Sequence, residues 1–192
     1  VTIVKKHQIV ATKTAHAGWA RMLLASLRLP DGRVITREIE DHGAAVCVLP
    51  YHRQRRTAVL VRQFRTPVFF AAGEEETLEA IAGILEESVA AECARREAQE
   101  EAGLALDDIE LLFTGWTMPG LSTERMNFFL ATYSGTPRRE HGGVADEHED
   151  IAAIEIPLAE LAAMADAGGL TDVKTLLLVQ TLRLRQPHLF TP

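Results

Sequence analysis

Strand-like runs dominate the first third of the chain. Residues 21–29 (RMLLASLRL) pass through Pro30-Asp31-Gly32 into residues 33–40 (RVITREIE), which predicts a hairpin whose turn is supplied by Asp and Gly. Residues 44–49 (AAVCVL) and 57–64 (TAVLVRQF) are β-rich and nearly continuous in apolar character, as buried strands are, and the polar turn YHRQRR separates them. Residues 77–81 predict a short strand feeding a glycine loop. Residues 89–102 predict a helix that Gly103 ends as its C-cap. Further strands are expected over 109–115 and 125–133, around the loop TMPGLST, and over 151–156, stopped by Pro157. Two helices finish the chain, 158–167 and 173–185, the second carrying TLLLVQTLRL with apolar residues nearly all round. There is no internal repeat and no low-complexity tract.

Strands on either side of one central helix, followed by terminal helices, predict an α/β fold: a mixed sheet covered on both faces, an α/β/α sandwich. At 192 residues, with 47% hydrophobic and 24% charged side chains, the chain suits one well-filled core with an appendage. Residues 1–43 are expected to form the N-terminal β-hairpin region and residues 44–192 the main domain. A net charge of -7, from 20 Lys and Arg against 27 Asp and Glu, offers no broad basic field, which argues against a duplex nucleic-acid binder. A small phosphorylated ligand remains compatible, held by a metal and a few local cations. Cys47 and Cys93 have no CxxC spacing and lie in apolar or helical segments, so buried free thiols are expected. No segment approaches ~18 consecutive apolar residues, and VTIVKKHQIV lacks the apolar core and cleavage site of a signal peptide. The expected location is therefore cytoplasmic, with no membrane partner.

The chemistry concentrates between Ala82 and Leu104. Glu97, Glu100 and Glu101 stand at i, i+3 and i+4 and share one helix face behind a glycine loop. Like charges at that spacing cost about 0.2 to 0.5 kcal/mol per pair on an exposed helix, so a solvated acidic face has to be weighed against a face that a divalent cation neutralises. Hard oxygen donors select Mg2+, with Mn2+ as a substitute.

These residues, together with Gly83, Arg96 and Gly103, resemble the Nudix box: Gly, five residues, Glu, seven residues, then Arg-Glu-U-x-Glu-Glu-x-Gly-U, with U apolar. REAQEEAGL, residues 96–104, matches every specified position, although Ala98 is small for its slot. The first half departs from the pattern. Without a gap, the glycine would fall on Ala82 and the first glutamate on Ser88; one deletion restores the glycine as Gly83, with Glu86 or Glu87 nearest to the first glutamate. Pro119, 16 residues beyond Gly103, and Glu124 in MPGLSTER are similar to the ADP-ribose pyrophosphatase-like branch. The shortened loop, REIEDHG, VLVRQFRTP, GGVADEHEDI and the late Asp172, Lys174 and Thr175 are similar to the GDP-mannose pyrophosphatase subgroup.

The resemblance implies a Nudix fold with an N-terminal β-hairpin region involved in dimerisation. It also implies roles for individual residues. The Ala82 carbonyl, Glu97, Glu101 and Glu149 are expected to hold Mg2+, with Glu101 also contacting substrate. Glu149 is the expected general base, with Glu147 as the alternative in the acidic loop DEHED; Glu100 is a second catalytic candidate, bridging through water or a second metal, with a supporting carboxylate as its other reading. Glu124 is a further catalytic and substrate-contacting candidate. Arg65 and Lys174 are expected on phosphate or sugar, His148 facing substrate, and Trp19, Arg37 and Glu38 on the base, contributed across a homodimer. Trp19 has a second reading as a dimer-core aromatic. The implied activity is Mg2+-dependent hydrolysis of a nucleoside diphosphate sugar: GDP-mannose to GMP and mannose 1-phosphate, or alternatively ADP-ribose to AMP and ribose 5-phosphate. A non-catalytic nucleotide-sugar sensor is the reading from another class. Degenerate boxes lose the Arg-Glu or Glu-Glu pair, and this chain keeps both.

Overall fold

The computed structural model describes residues 6–86, 89–137 and 151–191. The chain divides into two compact units, Val1–Ala44 with Gly115–Met126, and Ala45–Thr114 with Asn127–Pro192.

The first unit is built on a three-stranded antiparallel meander, β1 (Gln8–Ala17), β2 (Arg21–Arg28) and β3 (Val34–Asp41). The expected hairpin is β2–β3. Its turn closes as Asp31 accepts hydrogen bonds from the Arg33 backbone N–H (3.0 Å) and Nε (2.7 Å), with Gly32 at φ 92°. Strand β1 is an addition to the sequence reading. All ten of its residues are exposed, so it carries no one-sided apolar pattern by which to recognise it. The 115–126 segment joins this unit through Glu40, whose N–H donates to Leu121 O and whose carbonyl accepts from Thr123 N, both at 2.9 Å.

The second unit holds a sheet of order β10-β5-β4-β9-β8, with β6 paired to β5 and β7 to β4. Its strands are β4 (Ala44–His52), β5 (Thr57–Gln63), β6 (Thr77–Glu79), β7 (Ile81–Ile84), β8 (Leu106–Trp116), β9 (Arg125–Tyr133) and β10 (Ala152–Pro157). The ladders β4–β5, β5–β10, β5–β6 and β4–β7 are antiparallel. Residues Ala45–Tyr51 of β4 are buried throughout, so both of its faces are covered. On one face Val46, Val48, Val59, Val61 and Ile81 pack with Cys93, Ala94, Ala98 and Ala102 of α2 (Ala90–Ala102). Alternation sends Cys47, Leu49 and Leu60 to the other side, where they are equally inaccessible. Leu158 and Leu161 of α3 (Leu158–Asp166) and Leu178 and Leu182 of α4 (Val173–Arg185) are fully buried in the same unit. The expected α/β/α layering is the one found.

Two local features differ from the sequence reading. α1 (Thr66–Ala72) has no buried residue and leaves Phe70 91% exposed; seven residues without an apolar face give no helical signature. α4 buries one side only, with Leu184 83% exposed. Cys47 and Cys93 are buried and free, as expected. No helix among the described residues is long and apolar enough to cross a membrane.

Candidate active site

Helix α2 owes its position to an apolar stripe. Its buried residues are Cys93, Ala94, Glu97, Ala98, Glu101 and Ala102, spaced three and four apart. Small side chains let the helix lie close to the sheet, and Gly103 at φ 63° ends it, with Gly103 N–H donating to Gln99 O and Leu104 N–H to Ala98 O, both at 3.0 Å. Two of the six buried positions are carboxylates, 9% exposed at Glu97 and 6% at Glu101. Burying carboxylates in an apolar stripe is costly unless opposite charge meets them.

Arg96 supplies part of that charge. It donates from Nη2 to Glu97 Oε1 (2.7 Å) and from Nη1 to Glu100 Oε2 (2.5 Å), bracing two of the three glutamates. The repulsion expected between Glu97 and Glu100 is thus relieved within the helix. Glu97 meets the glycine segment as well, which is strand β7 and not the expected loop, because it is paired along β4. On β7, Ala82 pairs with Cys47 and Gly83 with Val46, and a Cβ placed on Gly83 would lie 2.0 Å from Glu97 Oε1. The carboxyl therefore occupies the space a side chain at 83 would fill, one residue from Ala82. All-oxygen donors of this kind, two carboxylates and a strand carbonyl, fit Mg2+ or Mn2+. Among the described residues no three His, Cys, Asp or Glu side chains form a metal cluster. The third expected carboxylate, Glu149, its alternative Glu147, and His148 lie outside the described residues.

A second constellation surrounds Glu79, which the sequence reading did not single out. Arg65, the N-cap residue of α1, forks onto it through Nε to Oε1 and Nη2 to Oε2, each 2.9 Å. Lys174, in the first turn of α4, places Nζ 3.4 Å from Glu79 Oε2 and 2.7 Å from Asp172 Oδ1. Thr77 Oγ1 donates to Glu79 Oε1 at 2.5 Å. Burial pushes the Glu79 carboxyl up, but the Arg65 hydrogen bonds, the Lys174 charge and the Thr77 hydroxyl outweigh it and hold it at about 2. Burial alone would lower the Lys174 ammonium, yet Asp172 and Glu79 raise it above its usual value. The Cys47 thiol is pushed up by burial, drawn down by Lys174, and pushed up further by Asp172, Glu101 and Glu79. Cys47 thus lies in the field of both constellations. The only sequence signal for Glu79 is an acid inside the apolar run TLEAIA.

In the first unit, Glu124 faces His42, whose Nε2 is 3.5 Å from Glu124 Oε2 and 3.4 Å from Glu40 Oε1. Trp19, 77% exposed, leans on the His42 ring at 4.7 Å between centroids. Arg37 donates to Thr36 O at 2.9 Å. Glu38 lines a groove of about 390 Å³ together with Trp116, Pro119 and Leu121.

Layered fold, helix-borne glutamates and glycine strand coincide with a family match: the chain matches the NUDIX domain over residues 41–177, and it belongs to the Nudix family. It is 39% identical over 162 residues to a GDP-mannose pyrophosphatase of Pectobacterium atrosepticum, covering 83% of each chain. It is 36% identical over 165 residues to a GDP-mannose pyrophosphatase of Citrobacter koseri, covering 84% of this chain and 86% of that one. The crystal structure of an ADP compounds hydrolase shares the fold with a TM-score of 0.77 over 98% of both chains, at 18% identity.

Proposed function

We propose that this protein hydrolyses the pyrophosphate bond of GDP-mannose, giving GMP and mannose 1-phosphate. The observation that carries the reading is the pair of buried carboxylates, Glu97 and Glu101, with Glu97 pressed on the Gly83 backbone, in a chain whose relatives are GDP-mannose pyrophosphatases. The Ala82 carbonyl, Glu97 and Glu101 would hold Mg2+, completed by Glu149. When bound, that ion supplies positive charge where non-bridging and leaving oxygens become more negative.

The chain's own groups do the rest. Arg65 and Lys174 offer N–H donors to phosphate oxygens. Arg96 keeps Glu97 and Glu100 in place. A loop carboxylate, Glu149 or its alternative Glu147, accepts the proton of the attacking water. Glu124, His148, Trp19, Arg37 and Glu38 recognise the nucleotide and sugar. A homodimer is part of this reading, and a strand β1 with every residue exposed in the single chain supports it.

The test is a panel of GDP-mannose, ADP-ribose, ADP-glucose and UDP-glucose with Mg2+, scored by kcat/KM. Preference for GDP-mannose is expected. Preference for ADP-ribose would move the enzyme to the alternative substrate, and binding of GDP-mannose without turnover would make it a sensor.

A further inference from the structure

We propose that Glu79 is a positioning residue, which fixes the Arg65 and Lys174 side chains as a ready-made pair of donors for the anionic oxygens of a pyrophosphate. This rests on the reading of Arg65 and Lys174 as substrate contacts, and goes beyond it by naming the group that sets their geometry.

Glu79 sits at the end of β6 with its side chain only 4% exposed, whereas the Arg65 and Lys174 side chains are 39% and 23% exposed. A buried carboxylate thus reaches two cations that lie progressively nearer the surface. Its contact with Arg65 is the two-bond fork that fixes a guanidinium in plane as well as in place. Thr77, two residues earlier on the same strand, gives its one hydroxyl proton to Glu79 Oε1, with Gln63 O as the more distant alternative acceptor at 3.3 Å, so the carboxylate is itself held from within β6.

Lys174 is held from a second side. Asp172 takes its Nζ at 2.7 Å while capping α4 through Thr175 N (3.0 Å) and Thr175 Oγ1 (2.6 Å). Thr175 Oγ1 in turn accepts from Ala80 N–H at 2.6 Å. Ala80 follows Glu79 and precedes Ile81, the first residue of the strand that carries Ala82 and Gly83. The start of α4, the two cations and the strand of the glutamate site are therefore linked by one run of hydrogen bonds.

Stability alone does not account for the arrangement. A buried ion pair gains little over apolar side chains of the same volume, even though removing one partner of an existing pair is costly. Arg and Lys each carry about 2 kcal/mol of side-chain rotamer entropy, and ordering them during folding removes that cost from substrate binding.

The experiment compares Glu79→Gln, Arg65→Gln and the double variant in Mg2+-dependent turnover of GDP-mannose, alongside melting temperature and Mn2+ affinity. Glu79→Gln is expected to raise KM by about tenfold with a smaller change in kcat, the loss of one charge-assisted interaction, and to leave Mn2+ affinity at the wild-type value. In the Arg65→Gln background the same substitution should change kcat/KM by less than about threefold, because its route of action is already gone. Full additivity of the two substitutions, or a lowered melting temperature with wild-type KM, would overturn the proposal. Should Arg65→Gln alone leave kcat/KM unchanged, the substrate-contact reading fails and this inference with it. If Glu79→Gln does not fold, Glu79→Asp, which keeps the charge but shortens its reach, must show the same rise in KM; a wild-type KM there overturns the proposal.

Discussion

Gly83 has no side chain because the Glu97 carboxyl stands where its Cβ would be: 2.0 Å from Oε1, 2.2 Å from Cδ and 2.8 Å from Cγ. The obstacle is the end of a side chain, so Gly83→Ala should fold by turning Glu97 away from the strand. The expected result is a loss of about 100-fold in kcat/KM together with weaker Mn2+ binding by calorimetry. Gly103→Ala makes the contrast, since its φ of 63° is a backbone requirement. It should cost about 1 kcal/mol of stability and leave metal affinity alone.

The two buried glutamates should differ from the half-buried Glu100. Glu101→Gln and Glu97→Gln are expected to fold normally yet lose at least about 100-fold in turnover, while Glu100→Gln, whose charge is spent on Arg96, should lose less. Near-normal activity of Glu101→Gln with saturating Mg2+ would remove Glu101 from the site.

What could be read along the chain follows from where the burial lies. β4, β5 and α2 bury regular faces, so their apolar spacing announces them; Gly103 marks the end of α2 because only an αL residue closes that helix. β1 and α1 bury nothing and leave no periodicity. The glutamate face was legible for a similar reason, since Glu97 and Glu101 are one turn apart. The Glu79 constellation was not. Its partners lie 14 and 95 residues away in sequence, and only the pairing of β5 with β6 and the packing of α4 bring Arg65 and Lys174 to one carboxylate.

Stability should fall in acid in a way that traces to Glu79. Its folded value of about 2 is below the unfolded 4.5, so its contribution is complete above pH 4.5 and is lost as pH falls toward 2. At neutral pH that contribution is on the order of 3 kcal/mol. Lys174, raised above 10.5, acts in the opposite sense, its contribution being lost as pH climbs through the folded value. Urea unfolding from pH 6 to pH 2 should show a steeper decline for wild type than for Glu79→Gln. Parallel declines would mean that Glu79 is not held ionised in the folded state.

A stability-only control lies at the far end of β10. Glu155 Oε1 accepts from Thr57 Oγ1 (2.6 Å), Tyr133 OH (2.9 Å) and Arg55 Nε (2.9 Å), joining β5, β9 and β10. Burial pushes the Glu155 carboxyl up, and the three donors prevail and hold it below the usual range. Tyr133→Phe removes one donor and leaves Glu155 with two, so the cost should be about 1 kcal/mol. For a chain of this size that is a fall of about 2 to 4 °C in Tm. Because the ring, 3% exposed, keeps its packing and the hydroxyl that is lost bonds Glu155, kcat and KM should match wild type. A change in KM at unchanged Tm would show that this network, and not only the Glu79 constellation, shapes substrate binding.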